Sequence, residues 1–382
     1  MCVDTINLPF IIKQPVLALG AQLKNTLCFA WKSKAYISRI HQDLSIRQDW
    51  ESFEKDARYF IKKSPRVIVY DPHPEYSSLP FIRKLFSTGA IFCPVYHHHA
   101  HIGSCMVENG LKGQQVIGIA CDGTGAGPKN QLWGAEFLIC NYSGFRRLAH
   151  LKEIPLPGGE RAIFEPWRTT ALWLERAFKG NLPDLKIGWT KKLDKKKWHV
   201  IRDMAEKKIN SPVASSMGRL FDAAASLILS RYSAAYEAQL PIELEAQAAC
   251  SRNRKNSGEY TFSIGNQNKE YVLDPGLIFQ GIVKDLKAKL PKETVAYKFH
   301  LTIAKMIEKM CTILRKDTGI NQVVLSGGVF QNKLLLGLSS DLLYRQGFKV
   351  FVHKKLPSND ASVSLGQAAI AGFGRRPVAG LV

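Results

Sequence analysis

The amino-acid sequence predicts an α/β fold, in which helices pack on β-sheets, and two observations lead to this prediction. Short apolar runs rich in valine and isoleucine end in glycine-rich or polar turns, as buried strands do. Stretches with the apolar spacing of a helix separate these runs, and strands that alternate with helices are typical of α/β proteins. The 382 residues, 46% of them apolar, are enough for a sizeable hydrophobic core.

Each predicted element follows from one of these two patterns. The apolar runs predict strands, two of them with a returning hairpin partner, over 16–20 with 27–31, 67–70, 116–120 with 136–140, 323–325 and 350–352. The helical spacing predicts helices over 48–63, 98–110, 215–233, 298–316, 331–346 and 362–372.

Three of the predicted strands end in a glycine turn, at Gly20, at Asp122-Gly123 and at Gly327-Gly328. A glycine turn after a strand presents backbone N–H groups to a nucleotide phosphate without a Cβ in the way. One such turn closes many ordinary strands, but three of them in both halves of the chain indicate a cleft between two related lobes. The actin and sugar-kinase type of fold (ASKHA) is built in this way, so we expect an interlobe cleft that binds a nucleotide.

The sequence is expected to divide into an N-terminal extension and two lobes. The extension spans 1–14, the first lobe 15–145 and the second lobe 146–382. Two polar stretches in the second lobe, 185–210 and 251–272, contain few apolar residues and are expected to be exposed insertions.

Basic residues outnumber acidic ones, 53 to 32, which gives a formal net charge of +21. The excess fits either a solvated basic surface or a ligand or partner that carries negative charge. With 22% charged and 10% aromatic residues, the composition argues against a disordered chain.

The sequence shows no signature of export or of a membrane span. Residues 1–10 lack a basic segment followed by an apolar one, and no apolar run approaches the roughly 18–20 residues of a membrane helix. The eight cysteines are far apart and include no C-x-x-C pair, which argues against a zinc ribbon and a disulfide scaffold. We therefore expect a cytoplasmic protein with no membrane partner.

A histidine cluster at 95–101 is the segment most informative about chemistry. His97 and His101 are four residues apart, so on a helix they share one face and can point at one ion. Asp122 and then Asp360 are the best candidates for further ligands, and such a set suits iron or zinc. The alternative, which the residues leave open, is a histidine-rich turn at the surface.

From about residue 14 to about residue 372, the chain resembles the C-terminal domain of the HypF carbamoyltransferases, motif by motif and in order. The motifs that carry this resemblance are Leu19–Asn25 (LGAQLKN), Asp71–Pro74 (DPHP), Val95–His101 (VYHHHAH), Asp122–Gly125 (DGTG), Trp133–Glu136 (WGAE), Pro155–Gly159 (PLPGG), Glu165–Arg168 (EPWR), Ser215–Asp222 (SSMGRLFD), Leu325–Asn332 (LSGGVFQN), and Asn359-Asp360 with Leu365–Gln367 (LGQ).

The resemblance implies a role in making the cyanide ligands of nickel–iron hydrogenases. HypF proteins form carbamoyl-adenylate from carbamoyl phosphate and ATP, and pass the carbamoyl group to the C-terminal cysteine thiolate of a HypE partner. This chain resembles only their transferase domain, without the acylphosphatase, zinc-finger and adenylating domains. The expected partners are therefore a HypE-type acceptor and a separate YrdC-like adenylating protein or a full-length HypF.

The resemblance also implies roles for individual residues. The implied metal ligands, which would also be the catalytic residues, are His97, His101, Asp122 and Asp360. The residues implied to bind ATP, AMP or carbamoyl-adenylate are Lys24, Asn25 and Thr26 at the first turn, Gly123, Thr124 and Gly125 at the second, Gly327, Gly328 and Asn332 on the adenosine side, and Asp222 and Glu243 at the ribose hydroxyls. Since the nucleophile belongs to the partner, Cys121 is expected to be a small strand residue.

Three turns depart from the family pattern: alanine stands where HypF proteins have glycine at Ala21, Ala238 and Ala361, and Ser362 stands where the family has a second glycine after Asp360. Each alanine adds a Cβ at a turn that is expected to face the nucleotide. We therefore expect adenylate binding that is weaker but retained.

Two further functions remain open from the sequence. The acceptor could be a small-molecule hydroxyl or a tRNA adenosine, or the chain could be a non-catalytic scaffold in hydrogenase maturation. Nucleic acid is the less favoured partner, because the basic cluster at 191–197 lies away from the motifs. The glycine losses favour a scaffold, whereas the four retained ligands oppose it, since buried charge is costly without an ion.

Overall fold

The structure is a computed structural model that describes residues 4–85, 89–180, 182–252 and 257–374. Its strands are β1 (Asp4–Ala18), β2 (Leu23–Asn25), β3 (Cys28–Ile37), β4 (His41–Asp43), β5 (Val67–Tyr70), β6 (Ile91–Pro94), β7 (Val116–Ala126), β8 (Leu132–Asn141), β9 (Gly144–Leu151), β10 (Ile154–Pro155), β11 (Val213–Ser216), β12 (Ser263–Gln267), β13 (Glu270–Asp274), β14 (Gln322–Ser326) and β15 (Lys349–Phe351). Its helices are α1 (Arg47–Ile61), α2 (Leu79–Leu85), α3 (His97–Glu108), α4 (Arg161–Phe164), α5 (Trp167–Ala177), α6 (Gly188–Lys191), α7 (Lys195–Glu206), α8 (Met217–Leu229), α9 (Gln239–Ala249), α10 (Gly276–Lys287), α11 (Lys292–Thr318), α12 (Lys333–Arg345) and α13 (Val363–Gly372).

The first sheet has the strand order β3-β1-β5-β6. The apolar end of β1 pairs in parallel with β5, while its whole length pairs antiparallel with β3, from Asp4 opposite Ile37 to Ala18 opposite Cys28. Residues 4–14, expected to be an extension, are therefore part of a sheet strand. Burial of the apolar side chains along this segment, Ile12 among them, explains the difference.

The second, larger sheet has the strand order β12-β13-β9-β8-β7-β14-β15. β7 and β8 form the predicted antiparallel hairpin, and β14 pairs in parallel with β7. Residues 116–145 therefore share a sheet with residues 322–351, so the sheets divide before residue 116 and not at the expected boundary of 145. The reason is β14, an apolar strand that pairs with β7 along one edge and with β15 along the other.

The polar stretches differ from the expected exposed insertions. Within 185–210, α6 and α7 bury Trp189, Trp198 and Ile201 in the core, while the lysines between them face solvent. Within the described part of 251–272, β12 forms a hairpin with β13 at the edge of the larger sheet. Trp198 and Ile201 lie on one face of α7 and pack it on the core, although most of their sequence neighbours are polar.

Helix α3 lies between the two sheets, and eleven of its twelve residues, from His97 to Val107, are buried. It packs on α13 so closely that a Cβ on Gly366 would clash with the carbonyl of Ala100. Helix α13 contacts both α3 and β1, so the last described helix covers one face of the first sheet. None of the described helices is both long and apolar enough to cross a membrane.

Candidate metal centre and cleft

Four side chains from three segments meet at the N-terminal end of α3. His97 and His101 lie one helical turn apart, with their Nε2 atoms 3.1 Å from each other. Asp122, in β7, places Oδ2 3.2 Å from the Nε2 of His97 and 3.0 Å from that of His101. Asp360, in a 3₁₀ turn, places Oδ1 3.6 Å from each nitrogen. One ligand atom from each residue lies within 4.8 Å of the others, so the four form one cluster.

The donor set of this cluster fits a metal ion. Two imidazole nitrogens and two carboxylate oxygens around a shared centre are ligands that zinc and iron accept. Nδ1 of His97 lies 2.8 Å from the Asp71 carboxylate, so in the neutral ring this nitrogen carries the proton and Nε2 carries the lone pair. That lone pair faces the acceptor oxygens of Asp122 and Asp360, an arrangement that requires a cation or a second proton on the ring.

Burial and charge have opposite effects on the pKa values in the cluster. Burial alone would lower the pKa of His97, but Tyr76 and Asp360 raise it well above its usual range. Burial would raise the pKa of Asp122, but the hydrogen bonds with His101 and His97 hold it well below its usual range. The Asp122 carboxylate is therefore ionised at neutral pH, which is the form that binds a metal.

Asp71 belongs to a motif in the sequence but not to the predicted ligand set. It is buried at the end of β5, and its carboxylate orients the ring of His97. Metal-bound histidines commonly donate their second ring N–H to a carboxylate in this way. The signal in the sequence is an aspartate directly after the apolar run 67–70.

Two glycines predicted to face a phosphate also orient the side chain of Asp122. The backbone N–H of Gly123 donates to Oδ1 of Asp122 at 2.8 Å, and that of Gly328 donates to the same oxygen at 3.3 Å. The Oδ2 atom of Asp122 is thereby left to face the histidines. A Cβ on Gly125 would lie 2.6 Å from Cδ2 of His97, so this glycine makes room for the ring.

A cleft of about 600 Å³ opens beside the cluster, and Asp122 belongs to both. Its lining combines apolar, acidic and basic groups from residues 23–42, 122–245 and 328–332. The predicted residues that line it are Lys24, Asp122, Gly123, Asp222, Gly328 and Asn332.

The other predicted nucleotide residues are not part of this lining. Asn25 is buried and donates to the carbonyls of Leu19 and Ala21, and Thr26 is buried against α13. Thr124 is exposed and is not part of the cleft lining. Gly125 lies against the ring of His97. The residues not brought to the cleft are Asn25, Thr26, Thr124, Gly125, Gly327 and Glu243.

Gly327 and Glu243 have structural partners elsewhere. Gly327 has a φ of 104°, and a Cβ there would clash with the carbonyl of Cys121 behind the turn. Glu243 pairs with Arg231 at 2.9 Å on the far face of α9. Glu245, two residues further on, lines the cleft instead and accepts the N–H of Leu334 at 3.1 Å.

Arg219 and Glu237 are cleft residues outside the predicted set. The Arg219 guanidinium is buried, with Nε 2.8 Å from Oδ2 of Asp222 and Nη2 3.7 Å from Glu237. Burial, which outweighs the opposing effect of Arg219, raises the pKa of Asp222 to about 6. The position of Arg219 in the motif Ser215–Asp222 was the available signal.

The three alanine departures differ in their structural consequence. Ala21 and Ala361 are buried and are not among the described residues with positive φ. Ala238 lines the cleft with a φ of 64°, in the left-handed region that glycine adopts without strain. Only at Ala238 does the alanine force an unfavourable backbone conformation beside the cleft.

Comparison with known proteins places the chain in a family. A family model described as HypF Kae1-like domain matches residues 12–108, and one described as Carbamoyltransferase, Kae1-like Domain, second subdomain, matches residues 118–367. Carbamoyltransferase HypF2 of Cupriavidus necator is 31% identical over 93% of this chain and 46% of the relative. The Carbamoyltransferase HypF homolog of the same organism is 31% identical over 96% of this chain and 93% of the relative.

Solved structures agree with these matches. A crystal structure of full-length HypF in the phosphate- and nucleotide-bound form is 38% identical, with a TM-score of 0.88 over 97% of this chain and 57% of that chain. T. kodakarensis HypF is 28% identical, with a TM-score of 0.83 over 97% of this chain and 48% of that chain.

The fold and the matched models define a Kae1-like carbamoyltransferase domain, and the predicted α/β class is confirmed. The chain spans about half the length of the first curated relatives, 46% and 48%. This chain belongs to the HypF carbamoyltransferase family.

Proposed function

We propose that this chain transfers the carbamoyl group of carbamoyl-adenylate to the C-terminal cysteine thiolate of a HypE-type protein, a step in the synthesis of hydrogenase cyanide ligands. The observation that carries the proposal is the shared position of Asp122, which belongs to the four-residue cluster and lines the cleft. A nucleotide in this cleft would place its phosphate next to a metal held by His97, His101, Asp122 and Asp360.

The transfer exchanges one bond for another at the carbamoyl carbon. The thiolate sulfur attacks this carbon, the bond to the phosphate oxygen breaks, and AMP leaves with the electron pair. A metal ion in the cluster would supply Lewis-acid stabilisation of the leaving phosphate. Lys24 and Arg219, the basic residues of the cleft lining, would be available to stabilise the same negative charge.

Cys121 does not provide the nucleophile in this proposal. Its side chain is fully buried in β7, and burial raises the pKa of the thiol well above its usual range. A protonated thiol that substrate cannot reach is unreactive. The thiolate therefore comes from the acceptor protein.

Iron and zinc both suit the nitrogen and oxygen ligands of the cluster. In this proposal the carbamoyl-adenylate comes from a YrdC-like adenylating protein or a full-length HypF, and the reaction takes place in the cytoplasm. The lysines of 191–197 do not line the cleft, so their charge suits an acidic face of the acceptor protein better than nucleic acid.

A reconstitution tests the proposal. The metal-loaded chain is mixed with an enzyme that generates carbamoyl-adenylate and a HypE-type acceptor, and intact-mass spectrometry should show one added carbamoyl group on the terminal cysteine. An acceptor with serine at that position and the variant Asp360→Asn should both show no transfer. Absence of transfer by the wild-type chain, when full-length HypF is active in the same assay, would overturn the proposal. A carbamoylated small-molecule hydroxyl would identify the alternative acceptor.

A further inference from the structure

Glu108, at the opposite end of α3 from the histidine ligands, receives four hydrogen bonds from one loop. Its side chain is fully buried. The backbone N–H groups of Lys354, Lys355 and Leu356 donate to Oε2 at 2.8, 2.6 and 3.3 Å. Nδ1 of His353 lies 2.7 Å from Oε1. Three successive N–H groups and an imidazole thus converge on one carboxylate, which fixes the loop after β15.

His353 connects this loop to the glycine turn after β14. Its Nδ1–H donates to Glu108, so Nε2 accepts the hydroxyl of Ser326 at 2.8 Å. Gly327, the next residue, donates its N–H to the carbonyl of Ser358 at 3.0 Å. The turn and the loop are therefore bonded to each other at two points.

Both segments continue directly into the cluster. The loop leads to Asp360, and the turn leads to Gly328, whose N–H orients Asp122. Helix α3 begins at His97 and ends at Glu108. One helix therefore carries the two histidines at its first end and anchors, at its last end, the loop that presents Asp360 and the turn whose Gly328 orients Asp122.

Glu108, His353 and Ser326 follow the order of a hydrolase triad, but their position excludes that role. Ser326 is 0% exposed, and a nucleophile must contact its substrate. Burial would raise the pKa of Glu108, but the bonds from His353 and the loop N–H groups lower it below its usual value. The ionised carboxylate is an anchor for the loop.

We propose that Glu108 and His353 are positioning residues for the metal centre, which hold Asp360 and the Gly327-Gly328 turn at the distance that the histidines require. This inference rests on the metal site of the proposed function. Loss of a residue that orients metal ligands typically costs about 10–100-fold in metal affinity. The predicted effect falls on Asp360, the ligand that stands furthest from the histidines.

Zinc competition with a chelator tests the proposal on the full chain. Glu108→Gln keeps the side-chain size but replaces one acceptor oxygen by an NH2 group that opposes the loop donors, and we expect about 10-fold weaker Zn²⁺ binding. The visible spectrum of Co²⁺ bound to the same variant should change, because an oxygen ligand is displaced. His353→Gln, whose amide can donate and accept, should retain more affinity than His353→Ala.

Tyr260→Phe is the matched control, since it removes a buried hydrogen bond to Asp285 at 2.8 Å that involves no cluster residue. Its melting temperature should fall while its Zn²⁺ affinity and Co²⁺ spectrum stay those of the wild type. The positioning role is overturned if Glu108→Gln binds Zn²⁺ with wild-type affinity. It is also overturned if Glu108→Gln and Tyr260→Phe lose the same Zn²⁺ affinity at equal melting temperature. Either result leaves the proposed function standing. A wild-type chain that binds neither zinc nor iron overturns both.

Discussion

The two ends of the cleft are built differently. At the metal end, His97, Asp71 and Asp122 are buried and each has a bonded partner in place. In another part of the cleft lining, which we propose binds the nucleotide and call the nucleotide end, Tyr236 is 54% exposed and Ala238 holds a left-handed backbone conformation. The metal end is preorganised by the fold, whereas the nucleotide end includes an exposed aromatic side chain and an alanine in a strained backbone conformation. Three glycines that were expected to bind the nucleotide contribute to this preorganisation: Gly123 and Gly328 donate to Asp122, and Gly125 leaves room for the ring of His97.

The largest effect should come from removing a ligand at the preorganised end. His101→Ala deletes one of the two imidazole nitrogens, and we expect Zn²⁺ affinity to fall more than about 100-fold, because loss of an orienting partner alone costs 10–100-fold. Chelator competition measures the change. His99→Gln is the control, since His99 lies on the same helix but bonds to the carbonyl of Asn141. Equal losses in both variants would contradict the assignment of the ligands.

Asp71→Asn should have the next largest effect. The amide can accept only through its oxygen and carries no charge, so the ring of His97 loses its orienting carboxylate. We expect Zn²⁺ affinity to fall about 10–100-fold with all four ligands still present. Unchanged affinity would show that burial alone fixes the ring, and that preorganisation does not extend beyond the ligands.

A third prediction concerns the nucleotide end, where His300 holds a cleft residue in place. Its Nδ1 donates to the carbonyl of Ala296 at 2.8 Å, and its Nε2 lies 3.0 Å from Nδ2 of Asn332. Burial lowers the pKa of His300 from 6.5 to about 4. The unfolded chain therefore holds more protons between these values, so the free energy of unfolding rises with pH across this window and is constant above it.

At pH 5 this group should lower the free energy of unfolding by about 2 kcal/mol relative to pH 7.5. Urea unfolding at both pH values measures the difference. His300→Gln, which cannot titrate, should lose that part of the pH dependence. The same pH dependence in the variant as in the wild type would assign the effect to other groups.

The smallest predicted effect is a gain in stability at Ala238. The left-handed conformation costs alanine about 1–2 kcal/mol, and glycine removes this cost. Glycine also gives the unfolded chain more conformational entropy, which lowers the free energy of unfolding by about 0.4–1 kcal/mol. Ala238→Gly should therefore raise the free energy of unfolding by about 0.5 kcal/mol. AMP binding, measured by calorimetry, should also strengthen. Ala246→Gly is the control: Ala246 is exposed in the interior of α9, the helix that follows Ala238, and its replacement should destabilise by about 1 kcal/mol. A loss of stability in Ala238→Gly would contradict the strain.

The metal end could be predicted from sequence because its signals are local. The four-residue spacing of His97 and His101 places them on one helical face wherever α3 begins or ends. Asp122 follows an apolar run that has to be a strand. These predictions hold even if the predicted ends of the helix or strand are wrong by a residue or two. The structure brings the predicted residues together.

The nucleotide end could not be predicted in the same way, because it depends on helix register and hidden packing. Glu243 and Glu245 are two residues apart and so lie on opposite faces of α9, and the sequence does not show which face meets the cleft. Asn25 has the polarity of a ligand-binding residue, yet its amide is used by backbone carbonyls. Burial of Trp198 is masked by the lysines around it.

The return of α13 to the first sheet has a consequence for synthesis of the chain. Gly20 donates its N–H to the side chain of Gln367 at 2.9 Å, across 347 positions in sequence, and Thr26 donates to the carbonyl of Ala361 at 2.9 Å. At about 5–20 residues per second, a ribosome needs on the order of tens of seconds to join these partners. During that interval β1 lacks its helix and the histidines lack Asp360. The four-residue cluster is therefore complete only after residue 360 has been made, and the apolar face of the first sheet stays uncovered until α13 follows.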